Sequence, residues 1–355
     1  MDDFSVLLYD KLRVSKGVTP TNLVCSPLSI RVVLKMLAAG AEGSTLQAFG
    51  DAMLSSYPQD FSPDNMTISN AVFMEDWVKL KPNYRLRLVE EFRAKLSQIA
   101  PDKSPALLCK EINDWVNERT KGMIKAIVSP DDVGGATLAF LNAVWFKDKW
   151  REAFDTSLTR ENTFWVRPNE RIEVPFMNQK MYLHYGDFGI AQMVKIPYVG
   201  PFSMFVILPK DFEATQDALA SHRLNDWIKQ LQGCQVSLSM PKFSLTTGFD
   251  LGETLKRLGL GIIFDQHKAD FHGMCSVEDV PYLWVDRVLH KARIDVDEEG
   301  TEAAAVTMAG VSGYSGGGDY KTAIFRVNRP FMFVIQHDKT PTTLFMGQIV
   351  YPTQG

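Results

Sequence analysis

The sequence predicts an α+β fold, and three observations carry that prediction. The first third reads mainly as helix and the later part mainly as strand. No regular βαβ alternation connects the two regimes, which argues against a doubly wound parallel sheet. The apolar periods also change along the chain, from near 3.6 residues to 2.

In chain order, Val6, Leu7, Leu8 and Leu12 suit one face of an amphipathic first helix. Pro27 opens a helix that runs to Gly40, with proline in the first turn and glycine at the stop. A third helix spans about Thr45 to Leu54. Asn65 to Met74 alternates as a strand, and Leu80 to Leu96 returns to helix. From Gln235 to Leu245, the residues Val236, Leu238, Met240 and Phe243 read as a half-buried strand bent near Pro241. Ala323 to Ile335 and Thr342 to Tyr351 form two late strands.

At 355 residues and 45% apolar content, the chain can bury a large core. No linker, composition break or internal repeat divides it, so residues 1–355 are read as one domain. A net charge of −4, from 38 basic and 42 acidic residues, argues against a nucleic-acid partner. Apolar stretches such as Ala136 to Phe146 are too short to span a bilayer, so no membrane partner is expected.

Cys25, Cys109, Cys234 and Cys275 lack the spacing of a zinc site or disulfide framework and read as buried free thiols. The first residues, MDDFSVLLYDKL, have neither the basic region nor the long apolar run of a signal peptide. The sequon Asn65-Met66-Thr67 would be usable only in a secreted form.

The most informative stretch is Glu298 to Thr307, EEGTEAAAVT. Thr301, Ala303, Ala305, Thr307, Ala309 and Val311 would share one face of a strand, and all six are small enough for a packed interior. Behind them, Gly313 to Gly318 is too glycine-rich to hold a strand. The segment therefore suits two states, an exposed loop and an inner strand of a sheet.

EEGTEAAAVT closely resembles the reactive-loop hinge of serpins, a family of conformationally switching protease inhibitors. Similar blocks follow in family order: NLVCSPLSIRVVLKMLAAGAEGST, INDWVNERTKGMI, LNAVWFKDKW, IPYVGPFSMFVILP, MPKFSL, ADFHGM, VLHKARIDVDEEGTEAAA, and RPFMFVIQH with LFMGQI. The resemblance implies three β-sheets surrounded by eight or nine helices, and a reactive-centre loop over about 298–324. It also takes Ile112 to Ile124 as a helix lining the opening of the main sheet. Between Leu54 and Asn65 only SSYPQDFSPD remains, without Lys or Arg. The helix that carries the basic patch of heparin-activated relatives has no room there, so glycosaminoglycan binding by that route is not expected. This trimming resembles the serpins of large DNA viruses, whereas INDWVNERTKGMI and LFMGQI look closer to vertebrate plasminogen-activator inhibitors.

The resemblance implies a monomeric suicide-substrate inhibitor, without cofactor, metal or catalytic residues of its own. A serine protease would attack the loop and form an acyl-enzyme. The freed hinge (Glu298, Glu299, Gly300, Thr301, Glu302, Ala303, Ala304, Ala305) would then insert as a strand, dragging and distorting the protease. A charge at Thr301 or Ala303 would have to be buried during that insertion. Family spacing from Gly300 places the reactive bond at Tyr314–Ser315, which suits a chymotrypsin-like S1 slot. Counting from the C-terminal side moves the bait toward Asp319, which suits an Asp-specific protease of caspase or granzyme type. A non-inhibitory carrier, chaperone or receptor ligand is the other functional class. Family habit places the protein outside the cell, with a cytoplasmic location as the alternative.

Other motifs fit bland readings better. Gly313-Tyr314-Ser315-Gly316-Gly317 matches the G-x-S-x-G elbow of hydrolases, but glycines follow where a helix is required. His267 and His272 flank Asp270 without a third ligand. GAEGST lacks the lysine of a phosphate loop, and a Ser44 or Thr45 N-cap explains it better. Lys79, Lys81, Arg85, Arg87, Arg93 and Lys95 are interrupted by Glu90 and Glu91, as on a solvated helix face.

Overall fold

The computed structural model describes residues 2–15, 17, 20–54, 66–99, 103–133, 135, 137–220, 223–276, 282–301, 321–340 and 342–352. Helix α1 (Asp3–Ser15) buries Phe4, Val6, Leu8 and Leu12, while Leu7 turns outward. The apolar stripe is therefore narrower than the run of leucines suggests. Strand β1 (Leu23–Cys25) leads into α2 (Pro27–Ala38), whose Ser26 cap accepts a hydrogen bond from the Ser29 amide at 3.2 Å. The third helix is two short ones, α3 (Gly43–Gln47) and α4 (Gly50–Leu54), broken at Gly50 with φ +59°. Neither Ser44 nor Thr45 caps α3; Glu42 stands at that position, and the Thr45 hydroxyl accepts from the Asp270 amide.

Next come β2 (Met66–Glu75), α5 (Pro82–Glu90) and β3 (Lys95–Ile99). The helix read over Leu80 to Leu96 is thus cut short, because Arg93 takes φ +50° and Leu96 joins a strand. The basic residues of this region do not share one helix. Lys81 reaches the His272 carbonyl, Arg87 pairs with Glu91, and Lys95 lies 5.5 Å from the Trp115 ring centre. Helices α6 (Pro105–Arg119) and α7 (Pro130–Val133) follow, then β4 (Leu138–Phe146), buried along its whole length, and β5 (Asp148–Lys149).

Strands β6 (Arg160–Arg167), β7 (Glu170–Asp187), β8 (Ala191–Pro197) and β9 (Phe202–Pro209) form consecutive antiparallel pairs. Helices α8 (Phe212–Ala220) and α9 (Arg223–Gln230) precede β10 (Gln232–Pro241) and β11 (Phe243–Asp250), which are separated by Lys242 after Pro241. Helix α10 (Gly252–Leu255), β12 (Arg287–Val296), β13 (Gly300–Thr301) and β14 (Thr322–Arg326) lead to β15 (Phe331–His337) and β16 (Thr343–Ile349). The late stretch from Ala323 is two strands, because Pro330 cannot donate to a ladder.

One sheet runs β3-β2-β4-β12-β13-β5, with β11 also paired to β12. The other runs β1-β16-β15-β9-β8-β7-β10-β14, with β6 also on β7. Strand β7, 18 residues long, pairs with β6 over residues 170–176, with β10 over 176–185 and with β8 over 184–187. Two of the three expected sheets therefore share one unbroken ladder. Val144, Phe146, Phe333, Phe345, Ala292 and Ile294 belong to the core cluster where the sheets meet. All four cysteines are buried thiols outside any disulfide.

Candidate functional site: the gap between the central strands and the loop hinge

Strands β4 and β12 are adjacent and parallel, in register from Ala139–Arg287 to Trp145–Arg293. They are distant in sequence and run the same way, so an antiparallel strand placed between them would exchange one parallel ladder for two antiparallel ones. Antiparallel pairing is slightly the more stable per residue.

The hinge enters at the end of this pair. After β12 the chain turns at Asp297, whose carboxylate accepts from the Glu299 and Gly300 amides at 2.9 and 3.2 Å. Burial raises the Asp297 pKa against those two bonds. Gly300 and Thr301 then form β13, wedged between Val296 of β12 and the β5 pair Asp148 and Lys149. A Cβ at Gly300 would stand 2.2 Å from the Asp148 carbonyl oxygen, so the approach admits only glycine.

Thr301 is fully buried, and its Oγ1 lies 2.7 Å from the Tyr198 hydroxyl. Tyr198 is held in turn by Trp150, whose ring stacks on it at 4.5 Å between centroids and an interplanar angle of 12°. The Trp150 indole donates to the Asp297 carbonyl, and its amide donates to the Glu299 carbonyl. Glu298 is buried as well: Lys242 lies 2.7 Å from its carboxylate and the Thr159 hydroxyl donates at 2.7 Å. Burial would push the Glu298 pKa up, but these two partners bring it below the usual carboxylate value.

The sequence places Thr301 on an exposed loop until insertion; the structure seats it in the sheet already. A charge there meets a buried site before any cleavage. Glu302, Ala303, Ala304 and Ala305, with Tyr314, Ser315 and Asp319, lie outside the described residues. Asn65 of the sequon does too.

Further along the paired strands, a polar cluster bridges them. His290 Nδ1 is 2.7 Å from Asn142 Oδ1, and the Ser29 hydroxyl donates to the same oxygen at 2.8 Å. The Asn142 amide donates to Asn70 Oδ1, and the Ser26 amide donates to His290 Nε2. Both imidazole nitrogens are thereby assigned, with the proton on Nδ1. Burial drives the His290 pKa down to about 3. No sequence motif announced this cluster; the one available signal was a histidine at an inward position of an apolar strand.

Helix α6 lies over the outer face of the same strands. Leu108 and Ile112 pack with Ala139, Leu141 and Leu289. The helix expected over Ile112 to Ile124 spans Pro105–Arg119, and Val116, with Ile124 beyond the helix, carries this cover on to Ala143. His272 and Asp270, considered above for metal, pair with each other at 2.9 Å.

A family model described as "Serpin (serine protease inhibitor)" matches residues 1–352. The chain belongs to the serpin family. Curated relatives agree: Serpin-Z10 of Arabidopsis thaliana is 32% identical, covering 97% of this chain and 96% of that protein. Neuroserpin of Homo sapiens is 30% identical, covering 99% of this chain and 90% of that protein. Among solved structures, human thyroxine-binding globulin with its hormone superposes with a TM-score of 0.85 at 26% identity, covering 99% of this serpin and 97% of that chain. Among the described residues, no helix of this serpin is long and apolar enough to cross a membrane.

Proposed function

We propose that this serpin inhibits serine proteases as a suicide substrate, its cleaved loop inserting between β4 and β12. The observation that carries the reading is the seat of Thr301, which starts an antiparallel strand against β12 at Val296. Extending that register sets Ala303 opposite Ile294, Ala305 opposite Ala292, Thr307 opposite His290 and Ala309 opposite Val288. All four β12 positions are buried. Directly opposed residues of an antiparallel pair share a face. The small-residue set read from the sequence is therefore the set that would turn into the core.

Insertion requires two separations. The strand passes between His290 and Asn142, so their hydrogen bond must open as Thr307 arrives. It also passes beneath α6, whose Ile112 and Leu108 must yield over Leu141 and Leu289. Both contacts hold the uninserted form, which would then be kinetically trapped above its free-energy minimum. An acyl-enzyme at Tyr314 would be pulled along with the strand. Displacement of reacting atoms by about 1 Å costs on the order of 10²-fold in rate, so deacylation stalls. The chain contributes no turnover chemistry; the protease supplies the nucleophile.

The likeness to thyroxine-binding globulin supports a second reading, a carrier without inhibition. Thermal unfolding before and after loop cleavage separates the two. A large gain in Tm on cleavage is expected for insertion, and an unchanged Tm would favour the carrier.

A further inference from the structure

A cavity of about 300 Å³ opens where the bend after β5 meets β7 and β8. Arg151, Glu152, His184, Lys195 and Asp338 line it, beside Tyr182, which is 56% exposed. Two of these charges satisfy each other. Lys195 lies 2.8 Å from the Asp338 carboxylate, which also accepts from the Ser203 hydroxyl at 2.7 Å. Among the described residues, the side chains of Arg151, Glu152 and His184 have no hydrogen-bond or ion-pair partner. Glu152 is an exposed residue, yet its carboxylate lies against enough protein for desolvation to raise its pKa.

The unmatched pair sets what the cavity can take. An anion alone would leave Glu152 unpaired beside it, and a cation alone would do the same to Arg151. A ligand that carries both charges satisfies both. The rest of the wall is apolar, from Met181, Leu183, Ile196 and Pro197. The volume matches about ten waters, or a molecule of about a dozen heavy atoms. This wall is also joined to the hinge. Trp150 and Phe154 flank the Arg151–Glu152 bend and donate their amides to the Glu299 and Glu298 carbonyls at 2.9 and 2.8 Å. The Arg151 amide donates to the carbonyl of Pro197, next to Tyr198.

We infer that this cavity binds a free α-amino acid with an aromatic or large apolar side chain. Arg151 and His184 would face its carboxylate, Glu152 its ammonium group, and Tyr182 and Pro197 its side chain. The bound molecule would hold the bend at Arg151 and Glu152 in place. Through Trp150 and Phe154 it would also hold the hinge backbone at Glu298 and Glu299. Such a site is independent of whether the loop traps a protease.

The test uses the full chain with three probes: phenylalanine, phenylpropanoate, which lacks the ammonium group, and phenethylamine, which lacks the carboxylate. Ligand-observed NMR titration should give phenylalanine a Kd of about 1 mM. Each of the other two should bind at least about fivefold more weakly. Glu152→Gln should lower phenylalanine to the level of phenylpropanoate, and Arg151→Gln to that of phenethylamine. Both positions are exposed, so neither variant should unfold the protein. Hydrogen exchange places the site: at about 10 mM phenylalanine, the amides of residues 150–154 should slow about tenfold. No binding of phenylalanine at that concentration, equal affinity for the three probes, or wild-type affinity in both variants would overturn the inference. Binding with unchanged exchange at residues 150–154 would put the ligand elsewhere and overturn it as well.

Discussion

The Tyr198 hydroxyl and Thr301 Oγ1 meet at 2.7 Å in a fully buried position. Under the proposed mechanism, the residue that would insert first is thus already seated in the sheet. One face of Tyr198 is occupied by Trp150, which also binds the turn at Asp297. The loop's entry and its anchor are therefore one unit.

Removing that bond should loosen the seat without harming the core. Tyr198→Phe leaves the Thr301 hydroxyl short of a partner, at a cost of about 1 kcal/mol. Hydrogen exchange across residues 297–301 should accelerate by about fivefold, that free energy expressed as an equilibrium. Unchanged exchange would mean that β13 is held by its backbone pairing alone.

Gly300→Ala should be the more disruptive change. Its Cβ would collide with the Asp148 carbonyl, so β13 must leave the wedge between β12 and β5. A loss of about 1–3 kcal/mol in urea unfolding is expected. A variant as stable as wild type would show that the close approach is not needed.

Ala303→Arg isolates insertion from anchoring, which no substitution at buried Thr301 can do. If the Val296–Thr301 register were extended on insertion, residue 303 would oppose the buried Ile294. The variant should be cleaved as fast as wild type and trap protease at least about tenfold less well, since an unpaired charge costs several kcal/mol to bury. Equal trapping would count against the register.

His290 should make the fold sensitive to acid. Its folded pKa of about 3 lies below the unfolded value of 6.5, so the unfolded chain binds the extra proton. Stability is fully present above pH 6.5 and falls by about 1.4 kcal/mol per unit as pH drops toward 3. Urea titrations between pH 7 and pH 5 read this before the carboxylates contribute. His290→Gln should flatten the slope, and equal slopes would place the acid sensitivity elsewhere.

Much of this was legible in the residues because local chemistry dictated it. Pro27 and Gly40 bracket α2, and Pro241 ends β10. The helix read over Leu80 to Leu96 is present but ends at Glu90, because Arg93 turns the chain where no glycine warns of it and Leu96 joins a strand. The site itself joins residues far apart in sequence. Tyr198 and Thr301 are 103 positions apart, and Asn142 and His290 are 148 apart. Such pairs leave no spacing to read, so the socket that holds Thr301 was not visible in the sequence.

The central claim is that loop cleavage at Tyr314 traps the protease by strand insertion. The most direct measurement is incubation with chymotrypsin, followed by a denaturing gel and mass spectrometry of the released peptide. The account predicts a complex that survives denaturant and a new N-terminus at Ser315. Complete cleavage at that bond, with free protease and no covalent complex, would contradict it.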